Sequence, residues 1–202
     1  LKKFSPKISV RESSNKKKAL VLVSKESHCL RDLFYLMQLG ELPIEIPLVI
    51  SNHDVLKDLV ESNGVKFLKI EDKDESVISK SIAEYGIDFV VLARYMQVLS
   101  ESLCEKMSGQ IINIHHSFLP GFKGAKPYHQ AYEKGVKIIG ATAHFVTKDL
   151  DEGPIIEQDI TGVSHATTPD ELISIGRDIE RRVLSKAVKL FAEDRIFQAK
   201  NR

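Results

Sequence analysis

Between Ile111 and Pro127 an apolar run gives way to a polar, glycine-bearing loop, IINIHHSFLPGFKGAKP. Strand alternation places Asn113, His115 and Ser117 on one side, with Ile112, Ile114 and His116 on the other. An imidazole at such a strand end can take or give a proton, and an amide can donate to developing negative charge. The alternative is a strand end that merely turns polar as it reaches water. A second polar segment, Lys148 to Pro154, places Asp149, Asp151 and Glu152 in one turn closed by Gly153-Pro154. Taken alone it reads as a solvated acidic turn. His28, Cys29, His115, His116 and Asp151 contain the ligand types for zinc. Alternation, however, sends His115 and His116 to opposite faces, and no HxxxH or CxxC spacing exists, so no metal is expected.

The elements that must position these groups follow from hydrophobic pattern. Ala19 to Ser24 and Asp88 to Ala93 are continuous apolar runs, the form of strands buried on both faces. Ile44 to Ile50 is a third strand, with Pro43 and Pro47 suggesting an edge or irregular start. Val65 to Ile70 is a short fourth. Helical spacing runs from Cys29 to Gly40, Asp54 to Asn63, Ser76 to Tyr85 and Leu99 to Met107. After Pro127 a helix through Tyr132 ends at Gly135, and Ile138 to Thr147 and Pro154 to Ile160 are further strands. Thr168-Pro-Asp-Glu171 is a capping box opening a long helix with the stripe Leu172, Ile175, Ile179, Val183, Ala187, Leu190. Strands alternating with helices imply one α/β, Rossmann-like domain: a mostly parallel twisted sheet with helices on both faces. Ligands of such sheets bind outside the carboxyl ends of the strands. Four polar loops are assigned there: Ser24 to Cys29, Arg94 to Leu99, Asn113 to Gly124 and Lys148 to Gly153.

Composition narrows the function classes. Lys plus Arg is 29 against 28 for Asp plus Glu, so the net charge of +1 points to neither a nucleic-acid nor a membrane surface. No apolar run approaches the roughly 18 residues that span a bilayer. Two distant cysteines, Cys29 and Cys104, fit a reducing compartment, and a cytoplasmic location is expected.

Several separated motifs in order carry a resemblance. They are Leu92-Ala-Arg-Tyr-Met-Gln97, Asn113-Ile-His115, Ser117-Phe-Leu-Pro120 with Gly124, Tyr128-His-Gln130, Gly140-Ala-Thr-Ala-His144 and Leu150-Asp-Glu-Gly-Pro154. From about Lys18 to the end of the long helix the chain resembles the folate-dependent formyltransferase family, and is most similar to its hydrolytic, deformylase branch. The resemblance implies the formyltransferase fold and hydrolysis of 10-formyltetrahydrofolate to tetrahydrofolate and formate, supplying formate for purine synthesis and balancing one-carbon pools. It implies no cofactor, because the folate is itself the substrate. It also implies a catalytic set of Asn113, His115 and Asp151, in which Asn113 donates to the formyl oxygen, His115 donates or relays a proton, and Asp151 orients the imidazole and holds the water. The choice of Asp151 over Asp149 comes from the family motif. The folate pocket is implied at Arg94, Met96, Gln97, Val98 and Leu99, with Val146 and Asp149 on the other wall. For Met96, Val98 and Leu99 the alternative is core packing.

Two rivals remain: a non-catalytic folate-binding or regulatory module, and a formyltransferase of the same fold acting on a small amine or nucleotide. A ribonucleotide acceptor needs a glycine-rich phosphate cradle after the first strand. The loop Ser24-Lys-Glu-Ser-His-Cys29 has no glycine and adds Glu26, so water is the expected acceptor. Roles for His28 and His129 toward folate or water stay open. Lys123 and Lys126 read first as a solvated turn and second as contacts to an anionic glutamate tail. Such deformylases resemble two-part proteins with an N-terminal ACT-type regulatory domain. Residues 1–17 read as a linker and 18–202 as the catalytic domain, so that domain is absent here, either cut away or not part of this version. The family suggests a homo-oligomer.

Overall fold

The computed structural model describes Glu12 and residues 15–71, 74–121 and 127–199. Most of the expected 1–17 linker, together with Lys123, Gly124 and Lys126, lies outside the described residues. In chain order the elements are β1 (Lys17–Val23), α1 (His28–Gln38), β2 (Ile44–Ser51), α2 (Lys57–Ser62), β3 (Lys66–Lys69), α3 (Glu75–Tyr85) and β4 (Phe89–Leu92). They continue with α4 (Glu101–Lys106), β5 (Ile111–His115), α5 (Pro127–Glu133), β6 (Ile138–Phe145), β7 (Ile155–Gly162) and α6 (Pro169–Ala192).

The seven strands form one sheet in the order β3-β2-β1-β4-β5-β6-β7. Pairings from β3 through β5 are parallel, whereas β5-β6 and β6-β7 are antiparallel. Residues 19–23 of β1 are fully buried because helices cover both faces of the sheet. Val21 and Val23 face α1 and α6, while Leu20 and Leu22 face α3 and α4. Each such Val or Leu contributes about 1.5–3 kcal/mol on burial, which makes the centre of the sheet a stiff platform for the loops at its rim. The chain reverses direction across the sheet between β1 and β4, where the ends of these strands deliver Ser24 and Arg94. This is the crevice that doubly wound sheets use for ligands.

Element types match the sequence pattern, with differences that have physical causes. β2 is not an edge strand: β3 lies outside it. Pro47 is tolerated because β3 pairs with β2 only from Leu48 onward, and the β1-β2 register shifts at that point. α2 is shorter than its apolar pattern, starting at Lys57 after a turn. α4 begins at Glu101 because the Ser100 side chain caps it, accepting from the Leu103 N–H. α3 ends at Gly86, whose φ of 61° is the left-handed conformation that only glycine adopts without strain. The capping box at α6 forms: Thr168 Oγ1 accepts from the Glu171 N–H, and the Glu171 carboxylate accepts from the Thr168 N–H at 2.7 Å.

Candidate active site

β5 is built for delivery. Ile111, Ile112 and Ile114 are buried in the two core layers, so the strand is held from both faces and its polar side chains are fixed in direction. Antiparallel pairing sets Asn113 opposite His144 and His115 opposite Thr142. Cross-strand partners share a face, and the Asn113 amide Nδ2 lies 3.1 Å from His144 Nε2. His144 Nδ1 lies 2.9 Å from the Phe145 carbonyl. A carbonyl only accepts, so Nδ1 carries the hydrogen and Nε2 of the neutral ring is the acceptor. His144 therefore dictates which way the Asn113 amide faces.

Asp151 arrives by a route that the sequence reading placed differently. Because β6 runs antiparallel to β5, its carboxyl end lies beside Ile112, at the start of β5 and not at the common carboxyl edge. The turn after β6 folds back over the Asn113 and His115 face and brings Asp151 with it. Asp151 has a left-handed φ of 58°. Gly153 is required for the turn, since a Cβ there would sit 1.7 Å from the Phe145 carbonyl oxygen. The Asp151 side chain is only 8% exposed, so the solvated acidic turn does not describe it. Its Oδ1 lies 3.3 Å from His115 Nδ1 and 3.6 Å from His144 Nε2. Burial opposes its ionisation, but the two facing imidazoles, His115 first, outweigh that cost and hold the carboxyl well below the usual carboxylate range. With Nδ1 facing this carboxylate, His115 is left with a buried Nε2 that has no hydrogen-bond partner among the described residues.

All ten residues named from the sequence line one cavity of about 250 Å³: Asn113, His115 and Asp151, with Arg94, Met96, Gln97, Val98, Leu99, Val146 and Asp149. Met96 and Val98 are exposed, so they are cavity wall rather than core, whereas Leu99 is buried and also packs in the α3/α4 layer. Leu92 and Leu150 complete an apolar lining of the kind that takes a flat heterocycle. The Arg94 loop is tied to the first strand, because the Met96 N–H donates to Ser24 Oγ at 3.0 Å.

Two functional candidates escaped the sequence reading. His144 is one. It appeared within a motif, but its pairing with Asn113 depends on strand register, which local sequence does not reveal. The other is Glu180 on α6, 1% exposed. Tyr128 Oη donates to Glu180 Oε1 at 2.7 Å, His28 Nε2 lies 2.7 Å from Oε2, and Arg94 Nε lies 3.4 Å from Oε2. Its signal was present: Leu172, Gly176, Glu180, Leu184 and Val188 recur at i+4, so a carboxylate sits in a buried ridge. His28 thus belongs to this network, and exposed His129 borders a neighbouring cavity. His28, Cys29 and Glu180 offer potential ligand atoms within 4.8 Å of one another. Burial, and next the Glu180 charge, push the Cys29 thiol up, away from the thiolate a metal needs. Both Glu180 oxygens already have partners, so the geometry is that of a hydrogen-bonded network.

A doubly wound sheet with an amide, an imidazole and a buried carboxylate beside an apolar cleft defines an enzyme equipped for acyl chemistry at a small carbonyl group. The chain belongs to the formyl transferase family, whose model matches residues 17–188, and within it to the formyltetrahydrofolate deformylases. The formyltetrahydrofolate deformylase of Corynebacterium sp. is 49% identical over 206 residues, spanning 99% of this chain and 72% of that protein. The crystal structure of a formyltetrahydrofolate deformylase from Pseudomonas syringae pv. tomato superposes with a TM-score of 0.90 at 45% identity, covering 93% of this chain and 65% of that one. Glycinamide ribonucleotide transformylase 1 from Symbiobacterium toebii gives a TM-score of 0.89 at 29% identity, covering 98% of both chains.

Proposed function

We propose that the chain hydrolyses 10-formyltetrahydrofolate to tetrahydrofolate and formate. One observation carries the reading: Asp151, ionised and nearly buried, meets His115 at 3.3 Å in the same cavity where His144 aims the Asn113 amide. The pterin occupies the apolar cleft between the Arg94–Leu99 loop and Val146. Asn113 donates an N–H to the formyl oxygen as it becomes an oxyanion, and His115 Nε2 serves the same oxygen or the leaving nitrogen. Asp151 keeps the imidazole in register through Oδ1 and holds the water through Oδ2. Water oxygen bonds to the formyl carbon, the carbon–nitrogen bond breaks, the nitrogen takes a proton, and formate leaves with its own proton passing to solvent.

Water as acceptor is supported by the loop from Ser24 to Cys29. In place of a glycine cradle it presents Glu26, whose carboxylate lies 3.1 Å from Arg177. On this reading the folate is the substrate and the reaction uses no cofactor and no metal. The enzyme supplies formate for purine synthesis and balances one-carbon pools, working in the cytoplasm as a homo-oligomer. Neither nucleic acid nor membrane is a partner, in keeping with the net charge of +1. No helix among the described residues is long and apolar enough to cross a membrane.

A formyltransferase acting on an amine is the second reading, favoured by the similarity to the transformylase over 98% of both chains. Formate release from 10-formyltetrahydrofolate with no acceptor present separates the two; turnover that strictly requires an amine removes the hydrolytic reading. Asn113→Ala should lower the rate of formate release about 100-fold or more.

A further inference from the structure

Two cavities meet at the reacting position. Beside the folate cleft lies a second cavity of about 360 Å³, and the two share Arg94, Met96 and His116 as a common wall. Their characters differ. The first mixes apolar side chains with the catalytic and other polar groups, whereas eight of the ten residues lining the second are ionisable. The two carboxylates of the second cavity are both occupied: Glu26 by Arg177, and Glu180 by Tyr128, His28 and Arg94. Arg94 faces Glu180 Oε2 with its Nε at 3.4 Å, as an ion pair without the geometry of a hydrogen bond. Its φ of 64° is a left-handed conformation that a non-glycine residue holds only at a cost, and it sets the side chain in the dividing wall. Burial, and then the Arg94 charge, push His116 down to about 3, so the wall carries one cation and one neutral ring.

The proposed reaction needs two routes. A pterin seated in the first cavity closes the way by which it entered, yet water must still reach the formyl carbon and formate must leave. We infer that the second cavity is the port for water and formate, with the Arg94 guanidinium as the carboxylate-binding group at its inner end. Guanidinium is the side chain best matched to a carboxylate, and a compartment lined by ionisable side chains, with its own acids already paired, holds water and a small anion. This inference rests on the hydrolytic reading above.

Product inhibition and a port variant test it. Added formate should inhibit the wild type in a manner that high folate does not relieve, because the two ligands occupy different cavities. Purely competitive inhibition, or none up to about 100 mM formate, overturns the inference, since a functional carboxylate subsite binds more tightly than that. Ile173 borders the second cavity but not the first. Ile173→Trp should lower kcat about fivefold with KM for the folate unchanged, because release through the narrowed port becomes limiting. Ile173→Leu should match the wild type. An Ile173→Trp enzyme that folds and keeps the wild-type kcat also overturns the inference, and the formate experiment decides alone if that variant does not fold. A wild type that releases formate without acceptor, yet is inhibited only competitively by it, loses this inference and keeps the hydrolytic reading.

Discussion

Replacing Gly176 by alanine tests whether the wall behind the active site is as tightly built as its geometry implies. A Cβ at residue 176 would lie 2.2 Å from both Cζ and Oη of Tyr128, and 2.7 Å from its Cε1. Alanine is the better helix former, and in the middle of α6 that alone would stabilise by about 1 kcal/mol. Against it stands a rigid ring that cannot simply rotate away. Tyr128 is buried on α5 and its hydroxyl donates to Glu180 at 2.7 Å. Displacing the ring forfeits a hydrogen bond to a charged group, about 1.5–3 kcal/mol, and adds overpacking of about 1–3 kcal/mol. The net expectation is a loss of about 3 kcal/mol, or about 6–12 °C in Tm for a domain of this size. Thermal and urea unfolding followed by circular dichroism would measure it. In a Tyr128→Leu background the same substitution should cost far less, because the clashing atoms are gone. A Gly176→Ala protein as stable as the wild type, or more so, would refute the reasoning: helix propensity would then have won over packing.

Other perturbations reach the site more directly. Asp151→Asn should lower formate release about 100-fold or more and cost about 2 kcal/mol at pH 7, the scale of a hydrogen bond to a charged group. Because the folded state holds the Asp151 carboxyl below its unfolded value, its stabilisation is present above about pH 4 and is lost as pH falls further. The gap between wild type and variant in urea unfolding should therefore shrink only in strong acid. For His116 the sign is opposite in origin but similar in consequence. With a folded value of about 3, the neutral ring stabilises the fold above the unfolded value of 6.5, and that contribution falls as pH drops from there toward 3. His116→Gln should remove up to about 1.4 kcal/mol per pH unit of slope from the stability curve in that window. His144→Phe keeps a ring but deletes the acceptor that aims the Asn113 amide, so kcat should fall about tenfold with KM little changed. His144→Gln, which retains an acceptor, should recover part of the loss.

The parts of this molecule that were legible in its sequence are those fixed by local pattern. The apolar runs of β1, β4 and β5 announced strands buried on both faces, and Thr168 to Glu171 announced the start of α6. Alternation along β5 put His116 on the face opposite Asn113 and His115, but the strand ends at His115, and His116 lines the same cavity with its ring 5.4 Å from that of His115. What escaped was set by register and direction between distant segments. Nothing local to Ile138–Phe145 says that β6 runs antiparallel, and so nothing local says that the acidic turn must fold back to reach His115. Pro47 allowed an edge or an irregular start, because its local effect is to remove a donor; the register shift at that point and the late start of β3 pairing show that the irregular start is the one that applies. Glu180 was hidden for the opposite reason. Its partners Tyr128, His28 and Arg94 come from three separate elements or loops, and a single acidic residue in a helix looks solvated until those partners are placed around it.

The antiparallel return has a consequence for how the enzyme could be silenced. Asn113 and His115 sit in the interior of the sheet, between parallel β4 and antiparallel β6, but Asp151 follows β6 in the turn before β7, which among the described residues is the outer strand at this end of the sheet. Proteins open first where protection is least. A fraying of this border would withdraw the acid from the imidazole while the pterin cleft walled by the Arg94–Leu99 loop stayed intact. Substrate would still bind and wait. Catalytic competence in this fold thus requires the β6-β7 margin to stay closed over β5 as well as the pterin cleft to be formed.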